Sequence, residues 1–479
     1  MKKSRLILPS FFLILFLLIV MCAVNPVTGK REFMLYTEQD EIALGQDTDK
    51  QIIEQYGLYE DKELEAYINQ LGTKMAPNCH RPDLPFHFRV LDTEVINAFA
   101  VPGGYIYFTR GILAYLNNEA ELAGVMGHEL GHVTARHTMK QMSSATVLQL
   151  GLGIGAALSE NFRQYANLAG FGVQMLFLKF SRDNEYQADA LGVEYSTKTG
   201  YDSHQMAHFF QTLDRMHPSE DGTLPNWFST HPNPENRVEK VLALSNDWQQ
   251  KVTMKNFITN TNPYMNHVNG INFGVDPRHG FVEKNTFYHP TMKFQFAIPT
   301  KWQIQNLPTQ VQLIEPNQKA SLILAVSKSK TVQAAADEFI QSAGVEVSGT
   351  HTTQINGLAA RRIHTVIPQQ QDSVATVSYF IQQPGRVIAF HGICSPSDEK
   401  NYVDLFDETI NGFKTLSDPK FLNRQPNKLK VLKATQTETL RQTLLSAGVK
   451  EDKLEELSLI NGKLLTDEIK AGTLYKIIQ

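Results

Sequence analysis

The chain has 479 residues, 42% of them hydrophobic, and a formal net charge of −4. Such a length buries a sizeable core and predicts roughly two to four domains, while the charge leaves no basic footprint and excludes nucleic acid as a partner. Its few cysteines are too scarce for a disulfide framework and too scattered for a cysteine-based cluster, so any metal must rest on histidine and carboxylate.

At the N-terminus, Lys2, Lys3 and Arg5 precede the apolar run Phe11 to Val20, the layout of an export signal. Cys22 follows Leu18-Ile19-Val20-Met21, which resembles a lipoprotein signal cut before a cysteine that becomes acylated. Met21 stands where a small residue is usual, so an uncleaved signal anchor is the alternative. Leu6 to Val24 comes near the ~20 residues of a span, although Pro9 and Ser10 interrupt it. Either way the remainder is expected outside the cytoplasm. Cys79 and Cys394 are expected as separate buried or half-buried thiols.

Thr37 to Gln55 reads as a charged amphipathic helix that Thr37 caps, and Leu64, Tyr67, Ile68, Leu71 and Met75 mark a second helix by their spacing. Phe86 to Leu91, Ile96 to Val101 and Tyr105 to Thr109 read as strands, the last two joined by a Pro102-Gly103-Gly104 turn. Asn97, Ala98 and Phe99 lie where an extended substrate can add to a sheet edge by backbone pairing; an ordinary sheet strand is the alternative. The apolar-periodic run Asn118 to Lys140 then carries His128-Glu129-Leu130-Gly131-His132. Helical spacing puts both histidines on one face, one turn apart, where they can bind the same zinc ion. Glu129 sits beside the first ligand, with a carboxylate able to take a proton from activated water. Leu122, Val125, Met126, Leu130 and Val133 make this a core helix, so its three polar groups need a task. The alternative is a buried helix with two hydrogen-bonded histidines.

A hydrolytic zinc site needs a third protein ligand and an open position. His137 lies five residues past His132 on the same helix, so it is turned away from the ligand face. Ala135 and Thr138 stand where the metzincin pattern needs glycine and histidine, so that class is out. Glu185 and Asp189, in Glu185-Tyr186-Gln187-Ala188-Asp189, are one helical turn apart: one carboxylate can bind metal while the other orients a ligand histidine. A solvated acidic face is the alternative, and the upstream histidine pair favours ligation.

These two motifs, with Asn97-Ala98-Phe99-Ala100-Val101-Pro102-Gly103-Gly104-Tyr105-Ile106 and Thr230-His231-Pro232, resemble the HtpX-like and CAAX-prenyl-endopeptidase-related zinc metallopeptidases, peptidase family M48, across residues 22 to 250. The resemblance implies a gluzincin, with His128, His132 and Glu185 on one zinc ion, Glu129 as general base and Asp189 behind a ligand. The soluble periplasmic, BepA-like lipoprotein members are more similar than the multi-span ones. They imply a membrane-tethered endopeptidase acting on misfolded or stalled envelope proteins. A rival reading is an envelope assembly scaffold with a latched, weakly active site. A membrane-embedded prenyl-type endopeptidase would need repeated spans of ~20 apolar residues.

Ala145 to Leu158 and Asn167 to Phe180 are apolar but short of a span, and predict a helical hairpin beside the cleft. His204 and His208 have no general base beside them and read as surface or satisfied histidines. Pro232 and Pro234 fix a loop before a helix starting near Asn236. On that loop His231 is placed to reach the open metal position and hold the enzyme latent. Arg237 is placed to face the cleft and stabilise the anion formed when water attacks the peptide carbonyl. A loop with a helix-capping role is the alternative.

Residues 251 to 283 turn polar and irregular, as a linker or belt would. The β-rich block beyond has strands over Phe287-Tyr288, Lys293 to Ile298, Val311 to Ile314, Ser321 to Val326, Gly349 to Ile355, Leu358 to Val366, Ser373 to Gln382 and Arg386 to Ile393. Helices cover Val332 to Ala343 and Ser397 to Gly412. Its pattern resembles small PsbP-like or Mog-like sheet domains, and implies substrate or partner binding. Leu429 to Ala434, Leu440 to Ala447, Leu454 to Leu459 and Thr473 to Ile478 then read as strand-helix-helix-strand. Thr439-Leu440, Asn461-Gly462 and Ala471-Gly472 resemble a LysM domain, with Thr437-Glu438 in place of its usual glycine-aspartate. Cell-wall glycan or an envelope protein is the partner implied.

The expected fold is therefore α+β. A signal peptide (1–21) precedes a mainly helical zinc metallopeptidase domain with a small edge sheet (22–265), and a linker (266–284) leads to an α+β sheet domain (285–416). A second linker (417–428) precedes a βααβ LysM-like module (429–479).

Overall fold

The computed structural model describes residues 22–152, 179–216, 227–232, 236–343, 349–368 and 373–479. The expected signal segment and most of the expected hairpin, 153–178, lie outside the described residues. Helix and strand are mixed, in two units: residues up to 53 with 57–274 and 427–479, and residues 54–56 with 275–426.

In the first unit, Cys22–Val24 (β1) pairs antiparallel with Arg31–Phe33 (β2). Helix α1 (Glu38–Tyr56) starts on Thr37, whose hydroxyl accepts from the Asp40 amide while the Asp40 carboxylate accepts from the Thr37 amide. Helix α2 (Lys62–Met75) is capped by Asp61 and buries Leu64, Tyr67, Ile68, Leu71 and Met75, the face its spacing predicts. Strands β3 (His87–Leu91), β4 (Ala98–Val101) and β5 (Tyr105–Thr109) form a sheet with β5 in the middle, β3 parallel to it and β4 antiparallel. Ala98 and Phe99 thus lie on an edge strand, with Asn97 just before it.

After α3 (Arg110–Tyr115), helix α4 (Glu119–Thr134) begins on an Asn118 cap and buries every one of its residues. The expected single helix through Lys140 is two helices. The chain breaks at Arg136, whose φ of 55° is left-handed, and restarts as α5 (His137–Leu152). Arg136 keeps that costly conformation because its guanidinium donates to Glu41 (2.9 Å) and to the Tyr36 carbonyl (3.1 Å). Helix α6 (Arg182–Thr199) packs on α4 backbone to backbone: a Cβ on Gly127 would lie 2.9 Å from the Gly192 carbonyl oxygen. That approach brings the polar faces of the two helices within reach of each other. There follow α7 (His204–Arg215), α8 (Trp227–Thr230), α9 (Arg237–Lys251), α10 (Thr261–Val268) and β6 (Asn272–Phe273). Part of the stretch expected as a linker is thus regular structure, because Tyr264, Met265 and Val268 bury one face of α10.

The second unit runs from β7 (Phe281–Glu283), β8 (Thr286–His289) and β9 (Phe294–Ala297) to β10 (Gln303–Asn306), β11 (Gln310–Ile314), β12 (Ala320–Val326) and α11 (Val332–Ala343). It continues with β13 (Gly349–Ile355), β14 (Leu358–Pro368), β15 (Ser373–Gln383), β16 (Arg386–Cys394), α12 (Glu399–Asn411), β17 (Lys414–Thr415) and α13 (Pro419–Leu422). An antiparallel sheet ordered β10-β11-β12-β16-β15-β14-β13 and a smaller one ordered β17-β9-β8-β7 enclose its core. Burial pushes His289 and His391 in this unit down to about 4. Unfolded chains bind these protons from about pH 6.5 downward while the native unit does not, so its stability falls as pH drops from about 6.5 towards 4, by up to about 3 kcal/mol per histidine. Pulsed hydrogen exchange in urea, read on peptides from 373–394, measures that fall, and His391→Gln, which cannot take up the proton, makes it shallower.

The chain returns to the first unit with β18 (Asn427–Lys433), which pairs with β6 on one side and with β21 (Leu474–Ile478) on the other. Between them lie a short β19–β20 ladder (Glu438–Thr439 and Glu468–Ile469) and helices α14 (Leu440–Ser446) and α15 (Leu454–Ile460). Expected as a module beyond a linker, this βααβ segment shares a core with the helices before it: Leu429, Leu440, Leu454, Leu457 and Ile460 join the cluster of Leu113, Leu116 and Leu122. Lys476 is wholly buried there, its Nζ donating to the carbonyls of Ala114 (2.7 Å) and Leu116 (2.8 Å). Cys79 and Cys394 are free, buried thiols, as expected. Among the described residues no helix is long and apolar enough to cross a membrane.

Candidate metal centre

Helices α4 and α6 and the turn after α8 aim four side chains at one point. The Nε2 atoms of His128 and His132 are 3.0 Å apart. Glu185 brings Oε2 to 3.6 Å from His128 Nε2 and Oε1 to 3.5 Å from His132 Nε2. His231 Nδ1 lies 3.1 Å from Glu185 Oε1 and 3.3 Å from His128 Nε2. One ligand atom from each of the four falls within 4.8 Å of the others, and all four residues are buried.

Glu129 is wholly buried, and neither of its carboxylate oxygens has a hydrogen-bond partner; Oε1 is 3.7 Å from His231 Nε2. Glu185 Oε2 and His231 Nε2 also lack partners. Buried polar atoms left this way are costly unless something further binds them. Two imidazoles and a carboxylate, with a further imidazole opposite, are a donor set that suits zinc, so the residues present fit the metal.

The next layer orients these groups. Asp189 Oδ1, 2.9 Å from His128 Nδ1, accepts the ring's N–H there, which leaves the Nε2 lone pair facing the cluster. Arg237 clamps Asp189 with two bonds, Nε to Oδ2 at 2.9 Å and Nη2 to Oδ1 at 2.7 Å, and its Nη2 lies 3.6 Å from Glu185 Oε2. The residue expected to face the cleft therefore spends two donors on a carboxylate behind the site, while its Nη1 has no partner. Trp227 stacks on His231 at 4.4 Å and Phe180 on His132 at 4.1 Å, walling the cluster with apolar rings.

Burial opposes ionisation of Asp189, yet Arg237 and His128 hold it below the usual carboxylate range. Burial raises Glu129 above its ordinary value, against the pull of His231 and His128. For His231 the order reverses: burial lowers it, but Glu185 and Glu129 together raise it. Burial and the neighbouring imidazoles push His132 well down, so it is a neutral imidazole at about pH 7.

His137 corrects the sequence reading. Because the helix breaks at Arg136, its ring turns back instead of away, with Nδ1 3.0 Å from His132 Nδ1 and Nε2 2.9 Å from Gln187 Oε1. Burial lowers it to about 4. No glycine or proline marks the break, so spacing alone had no signal for this contact. His204 and His208 are satisfied by Asp202, Asn246 and Gln205, as expected. Beside His132, Ala100 and Val101 from the end of β4 line a small cavity together with Pro102, so the sheet edge borders the cluster.

Residues 62–245 match Peptidase family M48. A beta-barrel assembly-enhancing protease of Yersinia pestis is 31% identical over 224 residues, covering 44% of this chain and 45% of that protein. The mitochondrial metalloendopeptidase OMA1 of Schizosaccharomyces pombe is 26% identical over 223 residues, covering 45% of this chain and 64% of that one. The chain thus spans about half the length of the assembly-enhancing proteases it matches. Among solved structures, a cyanobacterial PsbP from Synechocystis covers 27% of this chain and 91% of its own, at 12% identity and a TM-score of 0.24. The histidine pair of α4 and the Glu185 of α6 converge inside the region, residues 62–245, that matches Peptidase family M48, so the part of the chain that resembles that family is the part that builds the metal cluster.

Proposed function

We propose that the protein is a membrane-tethered endopeptidase of the cell envelope, with a single zinc ion, that hydrolyses misfolded or stalled envelope proteins. The observation that carries this reading is the buried, unpartnered Glu129 carboxylate beside the converging His128, His132 and Glu185. The two histidines and Glu185 would hold zinc, which when bound polarises the scissile carbonyl and makes water acidic enough to react near neutral pH. Glu129 takes the proton from the attacking water and hands it to the leaving nitrogen, a transfer that its raised pKa suits. Asp189 keeps His128 in its ligand tautomer, and Arg237 compensates the charge of Asp189 while its free Nη1 serves the anion developing at the carbonyl.

An extended substrate would pair along Asn97, Ala98 and Phe99 on the β4 edge, which favours locally unfolded chains. Relatives named for enhancing beta-barrel assembly support envelope proteins as the substrates. Acylation of Cys22 would supply the tether, and the βααβ segment, LysM-like in its Thr439-Leu440 and Asn461-Gly462 pairs, would contact cell-wall glycan or an envelope protein. Metal analysis and casein cleavage by the chain from residue 23, with and without chelator, test the core of the reading. About one zinc per chain and chelator-sensitive cleavage are expected; cleavage unchanged by metal removal overturns it.

One observation favours a second state of the same site. His231 sits among the proposed ligands, its Nδ1 3.3 Å from His128 Nε2 and 3.1 Å from Glu185 Oε1, and a side chain there would compete with water for a bound metal. His231→Ala is therefore expected to raise casein turnover several-fold. A fall in turnover, with zinc content unchanged, would mean that His231 serves catalysis and is no latch. A site kept latched in the cell would contribute scaffolding more than cleavage.

A further inference from the structure

We infer that His137 and Gln187 are positioning residues that fix His132 in the tautomer able to bind metal, an assignment that rests on the function proposed above. The chain of contacts decides the protons. Gln187 Oε1 can only accept, so the His137 Nε2 that faces it at 2.9 Å carries a proton and donates. A neutral imidazole has one N–H, which leaves His137 Nδ1 with a lone pair. That atom, 3.0 Å from His132 Nδ1, accepts, so His132 holds its proton on Nδ1 and keeps Nε2 bare. The bare nitrogen is the one that lies 3.0 Å from His128 Nε2 and 3.5 Å from Glu185 Oε1, inside the cluster.

The two ligand histidines are thus oriented by different chemistry. Asp189 holds His128 with a carboxylate, whereas His132 is held by a neutral imidazole backed by an amide. The left-handed Arg136 makes the second arrangement possible. In an unbroken helix residue 137 would lie about 140° round the axis from residue 132 and could not reach it. His137 is 2% exposed, so water does not compete for either of its nitrogens.

The test compares Gln187→Met, which keeps the length but loses the acceptor, with Gln187→Glu, which keeps an acceptor. Zinc affinity of the full chain is measured by chelator competition, and the ligand field by the visible spectrum of the cobalt-loaded protein. Gln187→Met is expected to weaken zinc binding about 10–100-fold and shift the cobalt spectrum, with the metal-free chain still unfolding in one cooperative step. Gln187→Glu is expected to match the parent in both. A second pair, His137→Leu against His137→Gln, gives the same contrast if Gln187→Met folds poorly, because the glutamine oxygen can accept from His132 directly. Equal zinc affinity and an unshifted spectrum in the variants lacking an acceptor overturn the inference and leave the peptidase reading standing. A parent chain that takes up no zinc overturns both.

Discussion

Glu129→Gln lowers casein cleavage on the order of 10²–10⁴-fold while the chain keeps its zinc. The amide has the shape of the carboxylate but cannot take the proton from water, so the loss falls on turnover. Zinc binding survives because the proposed ligands, His128, His132 and Glu185, belong to a converging group that does not include Glu129. Stability moves in a direction unusual for a buried substitution. The Glu129 carboxylate is buried without a hydrogen-bond partner, and exchanging it for a neutral group removes a desolvation cost. The melting temperature is therefore expected to hold or rise. Loss of zinc in this variant would make Glu129 a ligand, and retained cleavage would remove it as the general base. In cells, a variant that still performs its role would favour the scaffold over the peptidase.

Lys476→Met destabilises the first unit by about 3–5 kcal/mol, although it lies on β21 and is not among the residues of the metal cluster. Its Nζ supplies donors to the Ala114 and Leu116 carbonyls at the end of α3, and it faces the charge of Glu121 in the first turn of α4. Burial raises Glu121 and lowers Lys476, and each charge pulls the other back towards its ordinary range, so the two tolerate the interior best together. Removing the ammonium leaves two buried carbonyls unsatisfied and a carboxylate unopposed. Urea unfolding measures the loss, and the double variant with Glu121→Gln recovers part of it, because the unopposed charge is then gone. Full additivity of the two substitutions would show that the pair is not coupled.

Much of this was legible in the residues because helical spacing is a strong constraint. His128 with His132, and Glu185 with Asp189, each share a face by being four apart, and the structure brings both faces together. Thr37 announced a helix start because its hydroxyl and the Asp40 carboxylate answer each other. What stayed hidden depends on contacts between distant segments. Arg136 adopts a left-handed φ because Glu41 and Tyr36 hold its side chain, and nothing beside it in sequence says so. His137 consequently looked misdirected. Residues 261–268 looked like linker because Asn and Pro surround the few apolar residues that anchor α10. Lys476 in a strand reads as a solvent-facing charge, and only the α3 carbonyls opposite it explain its burial.

That lysine also sets an order of events. It lies 362 residues after Ala114, so at a synthesis rate of about 5–20 residues per second the end of α3 waits roughly 20–70 s for its cap. Throughout that interval the helix bearing His128 and His132 lacks the support on which its first turn leans. The helix that carries the metal cluster and the last strand of the chain are thereby parts of one core, finished together wherever the chain folds.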